Sequence, residues 1–573
     1  MEFEYESIVI GSGFGGSCSA ARQAKVWGEK VLLLERGKKY KMGSFPRSPE
    51  EFEERGFYTL DENSHIRSKT LAKVQSNGLF DIRNYKDMTV VMSAGLGGGS
   101  LIYANVLMKP PVDVLEGWPK SVSLSKLEKY YSVGFDVLGG NKLPLDKGNE
   151  WALNKVSYFQ DGAKKMGRDS KLVDIAVFFG NNPEKPTQPG VQETNKYGAI
   201  QTSCTLCAEC DAGCNVHSKN TLDLNYLFKA QKDLGLKVKT NSLAKRLVPL
   251  AEDGSEDSGG SGEFGYNVYW RDLTTNNLIS ASTRRVTVSA GTLGTNELLL
   301  RCRDEYKSLP NISQKLGHGF SGNGDFIAMI TGNDRVVSPN KGPVIVQRID
   351  FDLFDQQKGK SEGRFIMEDA SYPSFLAWFV EGMRPVAKII ALAEELTLDV
   401  FRRLVGLPTS GRLGKTMKRA MSGELAKRSS VHLCMGLDAS DGQIKLEGNK
   451  IDLIWNRTKS MPLYNKIVDS IKSFKKIYKG AGMLILPLWT WFSKSNVTVH
   501  ALGGCHLADD ISKGVCSANE ENFGEVFNYK NLFIADGSVL PTAVGSNPAL
   551  TILAVSEKIN HGITGVEPNA NFN

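Results

Sequence analysis

No stretch of this 573-residue chain reaches the ~18 uncharged apolar residues that a membrane-spanning helix requires, so no span is expected. No basic run is interleaved with aromatics, and the net charge of +7 is spread along the whole length, which leaves nucleic acid without a footprint. The opening residues, Met1-Glu2-Phe3-Glu4, are acidic where a signal peptide needs positive charge, so no targeting sequence is expected. Nine cysteines, an odd number with no secretory signal, suit a reducing cytoplasm better than a disulfide framework, and a cytoplasmic location follows. What remains is an ordinary globular composition in a chain too long for one hydrophobic core, so two domains sharing an interface are expected.

The front of the chain carries a compact signal. Tyr5 to Ile10 is an apolar strand, Gly11-Ser-Gly13-Phe-Gly-Gly16 follows it, Ser17 to Val26 has helical character, and a second strand, Val31 to Leu34, ends on Glu35. Three glycines so spaced permit a tight turn, close approach of backbone to a pyrophosphate, and tight packing of helix on strand. An acid about 20 residues further on can hold a ribose hydroxyl. Together they predict a Rossmann-like dinucleotide site, against the blander reading of a tight turn alone.

Lys38 to Asp87 is polar and without period, which suggests loop and short helix over that cofactor. Gly95, Gly97, Gly98 and Gly99, followed by Ser100, Tyr103 and Asn105, allow backbone to approach a flat ligand. Lys237 to Leu247, Tyr266 to Trp270 and Arg285 to Ser289 are expected strands, and Asn220 to Leu234 an expected helix. Ala290 to Leu300 offers a second small-residue approach to the cofactor.

At the far end, Leu532 to Ala535 is a short apolar strand, Asp536-Gly537 a turn, and Asn547-Pro548 a helix start. A helix N-terminus carries partial positive charge and free N–H groups, which suits an electron-rich ligand edge such as the pyrimidine ring of a reduced flavin. Val499-His500-Ala-Leu-Gly-Gly504 lies upstream of it.

These blocks, Gly11 to Gly16 with Glu35, Gly95 to Ser100, Ser289 to Leu300, and His500 to Gly504 with Asp536 to Thr551, resemble the glucose-methanol-choline family of FAD oxidoreductases, in its cholesterol-oxidase-like branch. The resemblance implies an α/β chain, α+β overall. A discontinuous FAD domain would take 1–112, 200–324 and 496–573, and a substrate domain on an antiparallel sheet with helices would take 113–199 and 325–495. It implies FAD contacts at Gly11, Gly13, Gly16, Glu35, Gly95, Gly98, Gly99, Ser100, Tyr103, Asn105, Ala244, Asp536, Gly537, Asn547 and Pro548. Tyr103 stands where many members have Asn, which puts one flavin contact in question. No histidine lies near Gly95 to Ser100, so the FAD is expected to be non-covalent.

Oxidising an alcohol with flavin moves hydride from carbon to flavin N5 while the hydroxyl proton leaves to a base. Neutral imidazole, titrating near ~6.5, can accept that proton, and an amide can orient the same hydroxyl. His500 and Asn547 occupy the positions at which the family places its catalytic His and Asn. The competing readings are a core histidine at a strand end and a helix cap. His506 is a weaker candidate. Glu368 and Asp369, the only suggestive acids for a further isomerisation, are expected in an exposed turn.

Cys204, Cys207, Cys210 and Cys214 have ferredoxin-like spacing, yet Asn215 replaces the usual following proline and the run occurs once. An iron–sulfur cluster, structural zinc, a disulfide and packing thiols all remain open. The substrate expected is a bulky apolar secondary alcohol, sterol or terpenoid, with oxygen or an electron carrier as acceptor. The other readings are a dehydrogenase of a sugar or other alcohol passing electrons through an iron–sulfur cluster to a carrier, and a flavin electron-transfer or binding protein without alcohol turnover. Val386 to Leu407 has an apolar helical face, and Arg412, Lys415, Lys418, Arg419, Lys427 and Arg428 follow. That pattern suits either a helix over the substrate or peripheral contact with an anionic inner membrane face.

Overall fold

Tyr5–Ile10 lies inside a seven-stranded sheet. Its order is Ser242–Pro249, Tyr266–Asp272, Leu278–Val288, Tyr5–Ile10, Val31–Leu34 and Lys237–Lys239, with Leu532–Ile534 also pairing Leu278–Val288. The computed structural model describes residues 2–48, 51, 56–58, 78–354, 363–374, 424–448, 450–486 and 496–572. Ile8, Val9, Val31 to Leu34, Val286 and Val288 are buried, as expected of central parallel strands covered on both faces.

Register decides where this sheet can bind. Ile10 pairs with Leu34 on one side and Val288 on the other, and Val288 pairs with Ile534, all in parallel. Four strands therefore end level, and Gly11, Glu35, Ser289 and Ala535 follow at one edge, the carboxyl edge at which open α/β sheets bind ligands. The tail strand reaches this edge because Phe14–Trp27 and Ala549–Thr564 pack together, clamped by the buried Arg22–Glu557 pair at 2.8 Å.

Several expected elements shift. The strand expected over Lys237 to Leu247 is two strands, broken where Asn241 takes a φ of 55°. The strand expected over Arg285 to Ser289 begins at Leu278, because its first half pairs antiparallel with Tyr266–Asp272. The stretch Lys38 to Asp87 contributes a strand, Phe80–Asn84, paired antiparallel with Met88–Ser93 and lining the cofactor side.

A second, fully antiparallel sheet runs in the order Gly482–Leu486, Phe326–Thr331, Ser430–Gly436, Phe365–Ala370, Gln347–Phe351, Ser170–Leu172. Side chains alternate across such strands, so Ile327, Leu433, Glu368 and Arg348 form one row, and Met329, Val431 and Ala370 the next, on the same face. The opposite face, with His432 against Phe159 and Phe474, packs on the helices Asn154–Lys165 and Met461–Ile477. Among the described residues no helix is long and apolar enough to cross a membrane. The Val386 to Leu407 pattern and Arg412, Lys415, Lys418 and Arg419 lie outside the described residues.

Candidate active site

One five-residue turn, Ser321 to Asp325, organises the site. Asp438 fixes it, accepting from Ser321 Oγ at 2.7 Å and from the Gly322 and Gly324 amides at 2.9 and 3.3 Å. From this turn Asn323 reaches the tail. Its Oδ1 accepts from the Val544 and Gly545 amides, and its Nδ2 donates to the Ser546 carbonyl, which fixes the loop leading into Asn547. Two residues on, Asp325 accepts from His500 Nδ1 at 2.8 and 3.0 Å, from the Val499 amide and from Thr498 Oγ1. One turn thus holds both His500 and Asn547, which line the same cavity.

The Asp325 contact sets the chemistry of the imidazole. A carboxylate accepting at Nδ1 requires the proton there, so the neutral ring presents Nε2 as an acceptor. Asp325 lies at the start of the substrate-side sheet and was not anticipated. A lone acid in a Ser-Gly-Asn-Gly-Asp turn carries no motif, and only its separation of 175 residues from His500, closed in space, reveals it.

Asn547 Nδ2 donates to Glu368 Oε2 at 3.4 Å, while Asn547 Oδ1 and Glu368 Oε1 are buried without partners. This corrects the expectation of an exposed turn: Glu368 and Asp369 stand in the strand Phe365–Ala370, 0% and 3% exposed. Burial pushes the Glu368 carboxyl up to about 8, so it is protonated at neutral pH. It sits behind Asn547 and off the cavity wall, where it orients the amide. Asp369 is structural, accepting from the Val346 and Gln347 amides at 2.9 Å.

The nucleotide cradle assembles as the glycine blocks require. Gly11, Gly13, Glu35, Gly98 and Gly99 line the cavity, and Ala244 lines its strand side. Tyr103, Asn105, Asp536, Gly537 and Pro548 line it as well. Glu35 is held from behind, accepting from the Ser12 and Gly37 amides at 3.0 and 2.7 Å. Gly16, Gly95 and Ser100 stand off the wall and support it. A side chain at Gly16 would meet the Gly11 carbonyl, one at Gly95 would meet Leu101 and Tyr40, and Ser100 Oγ donates to the Gly97 carbonyl at 2.7 Å. Tyr103 spends its hydroxyl on the Asn220 carbonyl at 2.9 Å. His506 Nε2 donates to the Gly319 carbonyl at 3.2 Å, with burial pushing the imidazole down to about 4, and is a structural residue.

The cavity holds about 1250 Å³, more than one small ligand needs, and runs from this cradle to the face bearing Ile327, Met329, Ala370, Val431 and Leu433. The cysteine run does not fit a metal centre. Among the described residues no three histidine, cysteine or carboxylate side chains converge to hold an ion, and all four thiols are free. Cys214 Sγ instead accepts from the Ser218 and Lys219 amides, and burial raises the Cys204 thiol well above its ordinary range, so both behave as packing groups.

Comparison with known proteins bears on the same geometry. Two GMC oxidoreductase family profiles match, one over residues 5–302 and one over 486–556. The chain is 27% identical to a cholesterol oxidase of Acinetobacter baumannii over 97% of its length and 94% of that protein's. It is 24% identical to the long-chain-alcohol oxidase FAO3 of Arabidopsis thaliana over 97% of its length and 67% of that protein's. In solved structures the fold resembles a fungal aryl-alcohol oxidase, with a TM-score of 0.56 at 12% identity, covering 99% of both chains. It also resembles the pyridoxine 4-oxidase of Mesorbium loti, with a TM-score of 0.57 at 13% identity, covering 97% of this chain and 98% of that one. With both profiles falling on the blocks that build the cradle and the His500–Asn547 wall, the chain belongs to the GMC oxidoreductase family, FAD-dependent enzymes that oxidise alcohols.

Proposed function

We propose that this enzyme oxidises a bulky, apolar secondary alcohol to the ketone, with oxygen as final acceptor. The observation that carries the reading is the apolar sheet face, Ile327, Met329, Ala370, Val431 and Leu433, set in the same cavity as His500. A sugar would leave its hydroxyls unpaired against that wall, at a cost of about 1–3 kcal/mol each. The names of the relatives, cholesterol oxidase and long-chain-alcohol oxidase, lend support.

The residues present fit FAD. Gly98, with a φ of 52°, packs its α-carbon side against Gly13, where a Cβ would come within 2.5 Å of backbone, so the two glycine blocks leave room only for a ligand beside them. When bound, FAD supplies the hydride acceptor, and Gly11, Gly13 and Glu35 would hold its nucleotide part. His500 Nε2 receives the hydroxyl proton, and Asp325 steadies the imidazolium that results. Asn547 holds the hydroxyl oxygen, its amide kept in place by Glu368. The apolar wall excludes water from the reacting carbon. Attachment of the FAD is non-covalent in this reading, and no step runs through Cys204, Cys207, Cys210 or Cys214.

The test is anaerobic mixing of the flavin-loaded enzyme with a panel of alcohols. Loss of flavin absorbance with a sterol or other polycyclic alcohol, and none with glucose, is the expected result. Bleaching by sugars alone would overturn the substrate class.

A further inference from the structure

Six carboxylates line the cavity: Glu35, Asp81, Asp211, Glu297, Glu305 and Asp536. Five are engaged by protein donors. Glu35 is held by Ser12 and Gly37, Asp81 by Arg36, Glu297 by Arg83, Glu305 by Arg301, and Asp536 by Ser538. Asp211 makes no hydrogen bond or ion pair among the described residues. It is part-exposed and lines the cavity, and burial, offset first by Lys219 and then by Lys155, raises its carboxyl to about 6.

Beside it lies a second unsatisfied group. Asn105 is 0% exposed, lines the same cavity, takes a φ of 74°, and has neither amide atom hydrogen-bonded. The Cys210 thiol lies against it, a weak partner. The two segments are locked together. Lys219, 1% exposed, donates from Nζ to the Cys210 carbonyl at 2.7 Å and to the Tyr103 carbonyl at 3.3 Å. Lys155, 2% exposed, donates to the Pro343 and Val344 carbonyls at 2.7 and 2.8 Å and to Ser371 Oγ at 2.9 Å. Lys219 is thus bound to uncharged oxygens, while Lys155 also faces the Asp369 carboxylate at 3.7 Å; the field of Lys219 first, and of Lys155 second, favours the ionised form of Asp211.

Position follows from Lys155. Cys210 abuts the Val344 backbone, and Cys207 bridges to Gly342. Lys155, whose charge acts on Asp211, ties the Val344 carbonyl to Ser371 Oγ, and Ser371 lies three residues beyond Glu368, just past the end of the strand Phe365–Ala370. Three extended residues span about 10 Å, so Asp211 sits toward the end of the apolar wall away from Glu368 and the reacting hydroxyl. Unpaired polar groups in such a wall are costly unless a ligand or water satisfies them.

We propose that Asp211 and Asn105 form a polar subsite in the far wall of the substrate cavity that takes a second hydroxyl of the alcohol, its hydrogen donated to the Asp211 carboxylate and its oxygen accepting from the Asn105 amide. The proposal rests on the cavity taking an apolar alcohol, as above, and narrows that substrate to one hydroxylated at both ends.

The test uses the FAD-loaded enzyme, reduced with dithionite under nitrogen so that binding proceeds without turnover. Androstenediol, a rigid apolar body with a hydroxyl at each end, is compared with androstenol, which has one. Calorimetry is expected to show at least tenfold tighter binding of the diol, falling to threefold or less in Asp211→Ala and Asn105→Ala. Asp211→Asn, of unchanged shape, guards against a folding failure and is expected to lose most of the preference. Equal affinity for the two steroids, binding of neither, or a preference unchanged in these variants overturns the subsite. Whether the oxidised enzyme is bleached by either steroid tests the alcohol reading separately.

Discussion

At His500 a single hydrogen bond decides which nitrogen is free. Asp325 collects the Nδ1 proton, a hydroxyl and a backbone amide at once, so its charge is shared among three donors and its geometry is fixed. Asp325→Asn places an amide N–H toward Nδ1 and favours the opposite tautomer, which would withdraw the acceptor from the substrate. Flavin reduction by a good substrate is expected to slow by about 10²–10⁴, the range of general base catalysis, with KM and FAD content little changed. An unaltered reduction rate would remove Asp325 from the mechanism. Glu368 makes a different prediction. Its carboxyl titrates near 8 in the folded chain against about 4.3 unfolded, so between those values the folded state holds a proton that the unfolded state releases. The stability it permits is fully present at the acid end and declines as pH rises through that window. Glu368→Gln, neutral throughout, is expected to lose several kcal/mol less than the parent between about pH 5 and about pH 8, read from denaturant midpoints at each pH.

The glycine blocks show how an element accepts or refuses a side chain. Gly98 combines a φ of 52° with a would-be Cβ 2.5 Å from Gly13, whereas a Cβ on Gly99 meets only the Phe14 ring edge at 3.9 Å. Gly98→Ala is therefore expected to abolish flavin loading, measured as absorbance per protein. Gly99→Ala is expected to load normally unless its methyl meets the flavin itself, in which case loading falls without loss of thermal stability. The front strand, helix and second strand were legible because local sequence decides them: apolar runs bounded by glycines fold as they read. The tail strand and the helix at Asn547 were legible for the same reason. The six-stranded sheet was known only through family resemblance, since its strands come from 170 to 486 and no local period records which of them pair. Glu368 was misplaced because an acid in an apolar neighbourhood looks exposed until burial is seen to keep it protonated. The cysteine spacing left several readings open because spacing does not say whether ligands converge in space, and here the Cys210 carbonyl is turned to Lys219 and the Cys214 thiol to neighbouring amides.

Across the whole molecule, the two ends of the chain must be held in register for the site to exist. Arg22 and Glu557 do this, 5% and 0% exposed, joined by two hydrogen bonds at 2.8 Å, with Tyr226 also donating to Glu557 and the Arg22 guanidinium lying 4.6 Å from the Phe572 ring. Burial works against the Arg22 charge, but the Glu557 carboxylate beside it outweighs that and raises the Arg22 pKa further, so the guanidinium stays charged. Breaking such a pair strands an ion in low dielectric and costs about 3–5 kcal/mol, whereas replacing both partners by apolar groups is often neutral. Glu557→Ala is accordingly expected to lower thermal stability sharply, and Arg22→Met to do nearly as much. The double variant Arg22→Met, Glu557→Met is expected to recover most of the loss. Because Asn547 leads directly into the helix that carries Glu557, the single variants should release FAD at the temperature at which they unfold, followed by flavin fluorescence in the same scan. Release of FAD well below unfolding would mean that the tail can leave the cradle while both domains stay folded, and the Arg22–Glu557 clamp would then be a local contact and not the fastening of the site.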